Sequence, residues 1–103
     1  MDNKSLIEKE YDAKIEHIPP MLDFIGDFIE ENNLPLEFKN KMEIVGDELL
    51  SNVIKYGYNN NGGQIIINLL FDGKTKEFVM SISDYAPEFN HRKKDHGWIY
   101  LRK

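Results

Sequence analysis

Two stretches of strict alternation constrain the fold of this chain most. Ile65, Ile67, Leu69 and Phe71 share one parity between Gln64 and Phe71, and Phe78, Met80 and Ile82 share one parity between Phe78 and Asp84. A period of two puts each set on one face of a β-strand. The Asp72-Gly73-Lys74-Thr75 segment between them has the residues of a tight turn, so the two strands form an antiparallel hairpin. A sheet with one apolar face has to be covered by another layer. Helical cover is available upstream. Ile18, Met21, Leu22, Ile25, Phe28 and Ile29 follow Pro19-Pro20 at helical spacing, and Asn32-Asn33 and Pro35 end that helix. A second helix is predicted over residues 37–56, with Gly57 as its left-handed cap.

Residues 5–15 alternate with Ile7, Tyr11, Ala13 and Ile15 on one parity, the pattern of an edge strand. Trp98-Ile99-Tyr100-Leu101 is too short to nucleate a helix and reads as a closing strand. The order β-α-α-β-β-β predicts an α+β fold, a two-layer sandwich with an antiparallel (mixed) sheet and two main helices packed on one face. At 103 residues the expectation is a single domain over 1–103.

Charge and composition remove several function classes. Residues 1–90 carry a net −9 and residues 91–103 a net +4. An acidic body does not suit a phosphate backbone, so no nucleic acid is expected as partner. The basic tail (Arg92, Lys93, Lys94, Arg102, Lys103) suits a phosphate or an acidic partner, or is a solvated terminus. There is no cysteine, which removes disulfides, thiolate metal sites and thiol nucleophiles. The start, Met1-Asp2-Asn3-Lys4, is not an apolar signal core, and no apolar run is long enough to span a bilayer. A cytoplasmic location without membrane contact is the expectation. His17 reads as a residue of the helix start, and His91 and His96 lack ligand partners at metal spacing.

Two clusters carry chemistry. At about 100° per residue, Met42, Val45, Leu49, Val53 and Tyr56 form the expected buried stripe of the second helix. Glu48, Asn52 and Lys55 form another, roughly 90° away, at the rim of the core face. There an amide oxygen can ligate a hard cation, a carboxylate can orient or deprotonate a hydroxyl, and an ammonium can meet a phosphate. Taken alone, such a stripe is also ordinary solvated helix surface. The second cluster is Ser81-Ile82-Ser83-Asp84-Tyr85-Ala86-Pro87-Glu88-Phe89-Asn90. A strand ending in Asp84 leaves a carboxylate able to accept from an exocyclic amine, and the small Ala86 lets a flat ring approach the backbone. Taken alone, it is an Asp-initiated turn.

In this order the clusters resemble a known family. Glu48-Leu49-Leu50-Ser51-Asn52-Val53-Ile54-Lys55-Tyr56 resembles the N box of the GHKL ATPase superfamily, which includes gyrase, a heat-shock chaperone, the histidine kinases and MutL-type repair proteins. Asp84-Tyr85-Ala86-Pro87-Glu88-Phe89-Asn90 resembles its next motif, in the form used by bacterial anti-sigma factor serine kinases. The resemblance covers roughly residues 5–90. It implies ATP and Mg²⁺ as ligands. Asn52 matches the Mg²⁺-ligating asparagine, Glu48 the general base, Lys55 a phosphate contact and Tyr56 a residue packed near the nucleotide. Asp84 matches the aspartate that reads the adenine amino group, with Ala86 beside it. The implied function is a regulatory kinase moving phosphate from ATP to a serine of an antagonist protein. A sigma factor and that antagonist are its implied partners, and a homodimer is compatible with it. Two alternatives stay open: a degenerate GHKL-fold interaction module without nucleotide turnover, and a histidine-kinase catalytic fragment.

Three positions depart from the family. Ala86 stands where it usually has glycine, and Tyr56 where many anti-sigma kinases have histidine. After Phe89 the family has a long lid and a glycine-rich turn opening a helix, whose amides hold phosphates. Here only residues 90–96 precede Gly97, and 97–101 are expected to be strand rather than a remnant of that turn. The departures imply that adenine reading survives while triphosphate clamping and kinase turnover are impaired.

Overall fold

The computed structural model describes the backbone of residues 4–57, 63–85 and 94–102, and the side chains of residues 4–55 and 63–83. β1 (Lys4–Asp12) leads through a 3-10 turn (Ile15–His17) into α1 (Ile18–Glu31). α2 (Leu36–Asn52) continues into a wide π-helical turn (Val53–Gly57). β2 (Gln64–Asp72), β3 (Glu77–Tyr85) and β4 (Lys94–Arg102) complete the order. The sheet runs β1-β2-β3-β4 and every neighbouring pair is antiparallel. The α+β expectation holds, with no parallel pair among the described strands and β1 at an edge.

The register explains which side the helices take. Ile7 lies across from Leu69 and Leu69 from Met80, while Ile67 faces Ile82 and Phe71 faces Phe78. Residues directly opposite on a ladder project to the same face. All the apolar members of β2 and β3 with that parity are buried, beneath Met21, Ile25, Phe28 and Ile29 of α1 and Met42 and Leu50 of α2. Among the described residues Phe78 is the largest fully buried side chain. Its ring meets Phe38 edge-on at 5.0 Å and Phe28 at 6.3 Å, so one aromatic ties both helices to the sheet. At the β1 edge, Tyr11 packs against Phe24 of α1, with the Lys9 ammonium 5.2 Å above the tyrosine ring.

The helix pair is set by its turn. Asn33 has φ 59°, the left-handed conformation asparagine tolerates. Its amide donates to the Glu30 carbonyl, and that of Leu34 donates to the Ile29 carbonyl, which closes α1 in a Schellman motif. Pro35, in extended conformation, follows and caps α2. The expected stop at Asn32-Asn33-Pro35 is therefore found. Asn32 also ties the helix end to the sheet: its amide donates to the Phe28 carbonyl and its oxygen accepts from Ser5 of β1. A Lys39–Glu30 ion pair at 2.8 Å bridges the two helices on the surface.

Three expectations are corrected. β1 ends at Asp12, and Ile15 sits half exposed in the 3-10 turn, because after Ala13 the chain leaves the sheet for the helical layer. Regular α-helix ends at Asn52, and a wider turn replaces the left-handed cap expected at Gly57. Left-handed backbone among the described residues falls instead at Asn33, Lys76 and Gly63. The closing strand is nine residues long and begins at Lys94. Residues 97–101 are strand, as expected.

The β2–β3 turn gives a pH-dependent prediction. The Asp72 carboxylate accepts from the amides of Lys74 (2.9 Å) and Thr75 (3.4 Å). Desolvation alone would raise its pKa, but those amides and the Lys4 ammonium outweigh it and hold it below the ordinary value. A depressed carboxyl stabilises the fold above the unfolded value, and that contribution is lost as pH falls through the folded one. Denaturant melts at pH 7 are expected to show Asp72→Ala less stable than the parent, with the gap closing toward pH 2–3 (roughly, from the ordinary aspartate range). A gap independent of pH would contradict the carboxylate's role.

Candidate functional site

Gly46 determines how α2 presents its residues. A Cβ at this position would lie 3.2 Å from Ile25 Cδ1 and 3.3 Å from Leu22 Cδ2, so α1 packs directly on the bare backbone. That contact turns Met42, Gly46 and Leu50 inward, followed by Val53 and Ile54. The buried stripe is thus rotated from the expected one. Val45 and Leu49 are only half-buried, and the Tyr56 side chain lies outside the described residues.

The rotation moves the polar stripe. Glu48 and Asn52 lie about 160° around the helix from Leu50, and both are exposed, as is Lys55. They sit on the outer face of α2 rather than at the rim of its core face. Among the described residues none of the three has a side-chain hydrogen bond or ion pair, while neighbouring Ser51 donates a long 3.4 Å bond to Asp47. Asn52 is the last regular residue before the wide turn that carries Lys55. Such π-type turns are rare and are frequent at functional sites. Half-buried Leu49 and Val45, three and seven residues before Asn52, run beside it as an apolar strip.

Asp84 is placed by register. It lies across from fully buried Ile65 and continues the parity of Phe78, Met80 and Ile82, so its position is on the helix-covered face near the end of β3. α2 runs through the wide turn toward Gln64, the first residue of β2, and Gln64 pairs with Tyr85. The topology therefore brings the end of α2 and the end of β3 to the same end of the sheet. Ala86, His91, Arg92 and Lys93 lie outside the described residues.

A family model for the histidine kinase-like ATPase domain matches residues 11–97. The chain belongs to this family. Membership makes it a GHKL-type ATP-binding module. The match runs from the end of β1 into β4 and takes in both the Asn52 and the Asp84 segments. No curated protein matches the chain.

The residues fit a nucleotide unevenly. The Asn52 amide, which has no hydrogen-bond partner among the described residues, suits Mg²⁺, which keeps several waters and takes few protein ligands. Among the described residues no cluster of three or more His, Asp or Glu competes as a metal centre. His17 belongs to no such group: its ring Nδ1 lies 3.2 Å from the Asp12 carbonyl, joining the end of β1 to the start of α1. Eight residues, 86–93, which lie outside the described ones, connect β3 to β4. No helix among the described residues is long and apolar enough to cross a membrane.

Proposed function

We propose that this ATPase-family domain is a regulatory protein of the anti-sigma factor serine-kinase type, which binds ATP and delivers its γ-phosphoryl group to a serine of a partner protein. The observation that carries this reading is the ordered pair of motifs, Glu48–Asn52 on α2 and Asp84 on β3, at one end of a sheet that opens with β1. In it Asp84 accepts from the adenine amino group, Asn52 holds Mg²⁺, and Lys55 offers charge to a phosphate. A Mg²⁺ ion held by Asn52 would supply charge neutralisation to the phosphate oxygens. Glu48, four residues before Asn52 on the same face, takes the proton from the serine hydroxyl as its oxygen bonds to the γ-phosphorus and ADP leaves. A sigma factor and an antagonist protein are the partners of this reading, in a cytoplasmic bacterial setting.

A second reading is favoured by the eight-residue β3–β4 connection: a partner-binding module on the same fold without turnover. Calorimetry separates them. Titration with ATP is expected to show binding that tightens with Mg²⁺, and Asn52→Ala is expected to lose that increment, about tenfold. No heat at millimolar ATP from the folded protein would leave the partner-binding module.

A further inference from the structure

The ladder between β3 and β4 changes register at one point. Ile82 pairs with Gly97, but Ser83 pairs with Asp95 and Asp84 with Lys94, so His96 is the extra residue of a β-bulge. Continued without the bulge, the register would set Asp95 across from Asp84, two like charges on one face, a destabilising pair. The bulge moves Asp95 to the position opposite Ser83, on the other face, and brings Lys94 opposite Asp84. Bulges are common beside functional sites, where they re-aim a side chain. Directly opposed residues stand about 5 Å apart at Cα and share a face. Here that is the helix-covered face of Ile65, at the end of the sheet that α2 reaches.

We infer that Lys94 is a second base-reading residue of the nucleotide site, a donor residue that the β4 bulge brings to the register position opposite Asp84. This rests on the ATP-binding reading above. Adenine offers a donor at N6 and, adjacent to it on the same edge, an acceptor at N1. An acid and a base at positions that face each other across the ladder match that order. Guanine, held in the same orientation, would turn its O6 toward the carboxylate and its N1–H toward the ammonium, a mismatch at both points. The pair therefore selects ATP over GTP by two contacts rather than one.

The test uses 1-deaza-ATP, which has C–H in place of N1 and is otherwise ATP. Against the full chain it is expected to bind about tenfold more weakly than ATP, the size of one hydrogen bond to a charged group. Against Lys94→Met the two nucleotides should bind alike, and Lys94→Arg should restore part of the difference. Circular dichroism establishes that each variant is folded. Equal binding of ATP and 1-deaza-ATP to the parent overturns the inference while leaving the ATP reading intact. Absence of any ATP binding overturns both.

Discussion

Phe78→Ala is expected to lower stability by about 3–5 kcal/mol, which corresponds to a fall in Tm of roughly 12–25 °C for a domain of this size. The ring is 2% exposed and is the point where both helices and the sheet meet. Removing it costs the transfer of its buried carbons and leaves a cavity that Phe28 and Phe38 cannot close without shifting both helices. Domains are typically stable by only 5–15 kcal/mol (roughly), so this one change consumes a large share. Thermal and denaturant melts measure it. Phe24→Ala serves as the comparison, because that half-buried ring covers the rim over Tyr11 rather than the centre. A loss below about 1 kcal/mol at Phe78 would mean that the helices do not rest on this face of the sheet.

Asp84→Ala is expected to weaken ATP binding by about 10- to 150-fold, the range of a hydrogen bond to a charged group. In the proposed site the residue across from Ile65 supplies the acceptor for the adenine amine, and alanine offers none. On the inferred two-contact reading the variant removes one of the two base contacts, so the preference for ATP over GTP should shrink together with affinity. Competition calorimetry with both nucleotides reads the two effects. Unchanged selectivity would place adenine elsewhere in the molecule. Unchanged stability in a parallel melt would show that the loss belongs to the site.

The strands and the helix turn were legible because their signals are local. Alternation from Ile65 to Phe71 and from Phe78 to Ile82 specifies a face whatever covers it, and Asn33 ends α1 through its own backbone preference. The orientation of α2 was not legible. Its apolar residues, Met42, Val45, Leu49, Leu50, Val53 and Ile54, cover about half the circumference of the helix, so hydropathy admits more than one buried stripe. The direct packing of Ile25 and Leu22 against Gly46 decides between them. That decision carries Glu48 and Asn52 from the expected rim to the outer face.

The site divides in the same way. From the sequence alone come the motif residues on α2 and β3, their order, and the ATPase family to which they point. Each of these depends only on residue identity and spacing along one element. Which residue lies across the ladder from Asp84 depends on the tertiary structure. Lys94 is ten residues away, in a basic run that reads as solvated tail, and nothing in the run itself distinguishes it from Lys93 or Arg92. One extra residue at His96 sets the register that brings it across from Asp84. Cross-strand register is a long-range property of hydrogen bonding and face matching, and a shift of one residue exchanges the two faces.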